Sequence, residues 1–84
     1  MQWCIETSHM VAVPQSIEAD DLPELRRQVQ QIADSKPVRS DRPAIGELSF
    51  KYELDDHDEP VVVHSFFTNR HGKKARFMRL RRLN

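Results

Sequence analysis

"ELSFKYEL", residues 47–54, alternates without a break. Leu48, Phe50, Tyr52 and Leu54 fall on one face, and Glu47, Ser49, Lys51 and Glu53 on the other. A period of two with one apolar face is a half-buried β-strand. An acidic turn, "DDHDEP", follows at 55–60. Then comes "VVVHSFF" at 61–67, β-branched and aromatic, the composition of a strand. Val61, Val63 and Phe67 share one of its faces and Val62 and Phe66 the other, which predicts a central strand covered on both sides. "NRHG" at 69–72 has Asn first and Gly last, as a tight turn requires. "ARFMRLR" at 75–81 is then the returning strand, with Ala75, Phe77, Arg79 and Arg81 on one face and Arg76, Met78, Leu80 and Arg82 on the other. A short C-terminal helix is the alternative, since Phe77, Leu80 and Arg81 also share a helical face.

Upstream, residues 21–34 read as a helix. Leu22, Leu25, Val29, Ile32 and Ala33 recur at helical spacing as a single apolar stripe. Asp21 is a fitting N-cap with Glu24 three residues on, as in a capping box, and Pro23 sits in the first turn, where its missing N–H costs little. Pro37 stops the helix. A proline-containing loop carrying Lys36, Arg39 and Arg42 leads to Gly46. Before the helix, "QWCIET" and "MVAVP" are two short strand candidates, the second ending at Pro14.

The fold expected is α+β: one amphipathic helix packed on an antiparallel sheet of three to five strands, in the order β(β)-α-β-β-β. The helix is placed on the face carrying Leu48, Phe50 and Tyr52. The second face, with Val62/Phe66 and Met78/Leu80, is too apolar to stay wet. The N-terminal strands, a second copy of the chain or another partner would cover it.

Eighty-four residues make one domain, 1–84, with a small core. An apolar share of 38% and a charged share of 31%, with zero net charge, do not match a disordered chain. Cys4 is the only cysteine, so there is no intrachain disulfide and no thiolate zinc site. A disulfide-free domain this small fits a reducing compartment, hence a cytoplasmic protein. No apolar run approaches the roughly 20 residues that span a bilayer, so no membrane is expected. Nor does "MQWCIETSH" have the basic start and apolar stretch of a signal peptide.

The zero net charge hides a division. Residues 1–59 hold six Lys/Arg and all thirteen Asp/Glu, formally −7, whereas residues 60–84 hold seven Lys/Arg and no acid, formally +7. The seven are Arg70, Lys73, Lys74, Arg76, Arg79, Arg81 and Arg82, close to Phe66, Phe67 and Phe77. Clustered cations beside exposed aromatics can hold phosphates and stack unpaired bases. The same residues can equally neutralise the acidic half, or solubilise an edge strand.

Other constellations carry little. The acidic turn lacks the glycine and distant glutamate of a calcium loop. His57, His64 and His71 are seven apart, but the first and last flank a strand about 23 Å long and cannot share an ion. His64, helped by Tyr52, Arg76 and Arg79, is the one arrangement that a small ribonuclease could use. No P-loop, G-x-G-x-x-G, C-x-x-C, H-E-x-x-H or G-x-S-x-G occurs, and with two glycines no phosphate-cradling glycine loop is possible.

The preferred expectation is a non-enzymatic regulatory or inhibitory module, without catalytic residues, metal or cofactor. It would bind another protein, or itself as a homodimer, through Val62, His64, Phe66, Met78 and Leu80. The alternative is an RNA- or DNA-binding regulator that uses the basic 70–82 segment.

Overall fold

A computed structural model of the chain describes residues 1–9, 13–35 and 45–83. The elements run β1 (Gln2–Ser8), β2 (Ser16–Glu18), α1 (Leu22–Asp34), β3 (Ser49–Leu54), β4 (Pro60–Thr68) and β5 (Lys74–Arg82). All neighbouring strands are antiparallel, in the spatial order β2-β1-β5-β4-β3. The fold is therefore α+β, one helix against a five-strand sheet, as expected. Lys36, Arg39, Arg42 and residues 10–12 of the expected second strand lie outside the described residues.

The helix begins where its sequence says. Asp21 is extended, at φ −152°, and its carboxylate accepts a hydrogen bond from the Glu24 amide at 2.9 Å. Glu24 does not complete a reciprocal box. Its side chain turns to Arg27 and Gln28, whose hydrogen bonds hold its carboxyl below the usual range. Leu25, Val29 and Ala33 bury completely against the sheet. Glutamines tie the helix to its neighbours. Gln28 donates to the Glu18 carbonyl at 2.7 Å, while Gln30 donates to the Gly46 carbonyl and accepts from the Leu48 amide. The second of these clamps fixes the approach to β3.

Register explains the core. Phe50 pairs with Ser65 and Tyr52 with Val63; Val63 pairs with Leu80 and Ser65 with Met78; Leu80 pairs with Ile5. Directly paired residues share a face, so all of these side chains lie on the helix side, as does Trp3 two residues before Ile5. A β-bulge lies where the register shifts from Ser65–Met78 to Phe66–Arg76. It inserts Phe77 as an extra residue, so that Phe77 and Met78 are adjacent in sequence and both fully buried.

Three expectations need correction. β5, not β4, is the middle strand, and it is neither a helix nor an edge. The N-terminal strands do not cover the second face. They extend the sheet beside β5 instead, and the second of them forms at Ser16–Glu18, past Pro14. Met78 and Leu80 are not on the second face with Val62 and Phe66. They lie under the helix with no exposure, and so offer no surface to a partner.

The two hairpin turns share one construction. Asp55 Oδ1 accepts from the amides of His57 and Glu59, at 2.8 and 3.0 Å. Asn69 Oδ1 accepts from those of His71 and Lys73, at 2.9 and 3.0 Å. In each turn the fourth residue is left-handed, Asp58 at φ 59° and Gly72 at φ 75°. The backbone donors hold the Asp55 carboxyl below its ordinary range, with the nearby Arg82 adding to the effect. A depressed carboxylate contributes stability above its unfolded pKa and loses it as pH falls through the folded one. Asp55→Asn keeps the acceptor, as Asn69 shows, but removes the titration and the Arg82 partner. Denaturant midpoints measured from neutral to acid pH are therefore expected to show wild type ahead of the variant at neutral pH. That lead should shrink below the ordinary aspartate range; two parallel curves would contradict this account.

Candidate functional site

The sheet face opposite the helix has no layer over it among the described residues. Register places Cys4, Lys51, Glu53, Val62, His64, Phe66, Lys74, Arg76, Arg79 and Arg81 there. It is less apolar than the sequence implied. Val62, expected to line the interface, is only 4% exposed and presents almost no surface to a partner.

Charge is arranged in two zones. In the first, cations and acids are interleaved. Glu6 sits at a bulge in β1, and its two oxygens approach Arg79 Nε at 3.4 Å and Arg81 Nε at 3.3 Å. The Arg79 contact is a charge contact rather than a hydrogen bond, since that buried Nε has no aligned acceptor among the described residues. Arg79 Nη2 also stands 4.0 Å from Glu53 Oε2, which His64 Nε2 meets at 2.8 Å. The His64 hydrogen bond is the main reason the Glu53 carboxyl lies below its usual range, and the charges of Arg79 and Arg81 add to it. At the far end of the sheet, on its helix side, Arg82 Nη2 lies 3.5 Å from Asp55 Oδ2. Three of the seven cations predicted as a polyanion site are thus balanced by acids of the first 59 residues.

The second zone surrounds Phe66. Arg76 is its direct cross-strand neighbour, and Lys74 lies one step further along the same face. Arg70 and Lys73 belong to the adjoining turn. None of these four cations has an ion pair among the described residues. The His64 and Phe66 rings lie nearly parallel, with centroids 6.3 Å apart. No family model, curated protein or solved structure matches the chain. The reading of this face therefore rests on its own chemistry.

That chemistry separates residues that the sequence had grouped. Phe77 is fully buried, and Phe67 packs on it edge-to-face at 6.5 Å, so Phe66 is the one member of the trio on the open face. Tyr52 pairs with Val63 while Lys51 pairs with His64, which puts Tyr52 and His64 on opposite sides of the sheet. The ribonuclease arrangement is divided by the sheet itself. His64 is further committed: Nε2 engages Glu53, and Nδ1 is buried without a hydrogen-bond partner among the described residues. His57 and His71 stand in turns at opposite ends of β4. Among the described residues no group of three or more His, Cys, Asp or Glu is placed to hold a metal ion. No helix of the described residues is long and apolar enough to cross a membrane.

Sequence reasoning missed Glu6 and Glu53 as components of this face. Glu53 carried a visible signal, its place on the polar side of an alternating strand. Glu6 carried none, because its role depends on β1 pairing with β5, some seventy residues away.

Proposed function

We propose that the chain is a small non-enzymatic module that regulates or inhibits a protein partner, in the cytoplasm, by binding it on the open sheet face. The partner surface presents carboxylates to the zone around Phe66, Arg76 and Lys74. One observation carries this reading: the acid-balanced zone of Glu6, Arg79, Glu53 and Arg81 beside an aromatic flanked by cations without ion pairs. Interfaces between proteins combine an aromatic or arginine anchor with charges of both signs that fix orientation. A nucleic-acid groove favours uninterrupted cations and several stacking rings. Here Glu6 and Glu53 would repel phosphates, and Phe66 is the single phenylalanine on this face.

An anisotropy titration tests this, with a labelled acidic peptide containing aromatic residues, a single-stranded RNA and a duplex DNA, each at two salt concentrations. The peptide is expected to bind and to persist at moderate salt. Phe66→Ala and Arg76→Glu should each weaken it about tenfold, with circular dichroism unchanged. Submicromolar RNA or DNA binding that collapses with salt, without peptide binding, would replace this reading with the nucleic-acid one. Binding to none of the three probes would remove both.

A further inference from the structure

The two edges of the sheet differ. β2 is three residues long, and the Glu18 carbonyl, which points away from β1, is already occupied by Gln28. That edge is short and guarded. β3 is six residues long, contains no proline or glycine, and pairs only with β4 among the described residues. Its outer side presents main-chain donors and acceptors in a row, the usual template for another strand. Beside it Leu54 is 54% exposed, one of the few large apolar side chains left in water.

The sequence of this edge is complementary to itself. We propose that β3 pairs antiparallel with β3 of a second copy of this chain, about a two-fold axis at Tyr52. Residues equidistant from the axis then face each other. Lys51 stands opposite Glu53 of the second copy, and Glu53 opposite Lys51, giving two matched charge pairs on the open face. Phe50 stands opposite Leu54, and Leu54 opposite Phe50, on the helix side, so both exposed leucines gain apolar neighbours. The two Tyr52 rings meet at the centre. Moving the axis to Lys51 sets lysine against lysine, and moving it to Glu53 sets glutamate against glutamate. Opposite charges directly across strands stabilise a pair and like charges oppose it, so the pattern selects one register. An isologous contact of this kind closes on itself and does not propagate. Both helices fall on one side of a continuous ten-strand sheet and both open faces on the other. The dimer therefore presents two copies of the Phe66–Arg76 zone to the same partner surface.

Sedimentation equilibrium of the full chain tests the pairing. A contact of six residues per edge is small, so the 9.9 kDa monomer should move toward twice its mass at roughly tens of micromolar. Lys51→Glu should hold the mass at that of a monomer, because glutamate then faces glutamate. Adding Glu53→Lys to that variant restores opposite charges in the same register and should restore the dimer. Circular dichroism of each variant confirms the fold, and Lys51→Glu alone suffices if the double change unfolds. A wild type that stays monomeric through hundreds of micromolar, or a Lys51→Glu variant that dimerises like wild type, overturns the proposal. No acidic partner enters this measurement, so its failure leaves the proposed function standing, and failure of the peptide titration leaves the dimer standing.

Discussion

Phe77→Ala is expected to remove about 3–5 kcal/mol of stability, the usual cost of truncating a fully buried phenylalanine. A chain of 84 residues commands in total roughly 4–13 kcal/mol. The variant should therefore be largely unfolded, or have its urea midpoint brought near zero. The size of the effect follows from position. Phe77 is the extra residue of the bulge in the middle strand, it has no exposure, and Phe67 meets it edge-on. Its backbone carbonyl also accepts a hydrogen bond from the His9 amide, so the same residue joins the end of β1 to β5. A cavity there opens where β5 meets Phe67 of β4 and the end of β1. Phe66→Ala is the matched control. It removes the same side chain from the same hairpin on the open face, and should cost no more than about 1 kcal/mol. Similar losses for the two variants would mean that the open face is covered after all.

The contrast between these two phenylalanines also shows where the sequence stops being informative. The helix is legible, apart from the partner of Glu24, because its determinants are local: Asp21 as cap, Pro23 in the first turn, and a stripe from Leu22 to Ala33. The same holds for β3, whose alternation is strict, and for the turn at Asn69–Gly72, whose conformation is set by its own residues. Element identity in small domains is largely a matter of period and punctuation.

Facing was harder. In β4 both sides are apolar, so period alone does not say which side meets the helix. In β5 the alternation is interrupted by the bulge at Phe77, and past an extra residue every inference about facing inverts. That is why Met78 and Leu80 read as companions of Phe66 when they are companions of Leu25 and Val29. The charge balance was illegible for a further reason. Glu6 lies far in sequence from Arg79 and Arg81, and only the pairing of the first strand with the last brings them within ion-pair distance. The division into −7 and +7 regions was a correct observation, but its meaning resides in the topology.

Trp3→Ala is the second large effect, again about 3–5 kcal/mol, and the comparison with Trp3→Phe makes it diagnostic. Trp3 is 1% exposed, in the strand that joins β2 to the rest of the sheet, and it packs with Ile17 and Ala19 in the same core. Truncation to alanine empties that end of the core and loosens both N-terminal strands. The indole Nε1, however, is buried without a hydrogen-bond partner among the described residues. An unsatisfied buried donor carries a desolvation cost of about 1–3 kcal/mol, and phenylalanine discards that donor along with part of the ring. The lost packing and the recovered desolvation oppose each other, so Trp3→Phe should lie within about 1 kcal/mol of wild type. Trp3 is the sole tryptophan, so both variants are followed by circular dichroism rather than fluorescence. If Trp3→Phe is as damaging as Trp3→Ala, the indole N–H has a partner in solution, and the ring is held by polarity as well as by shape.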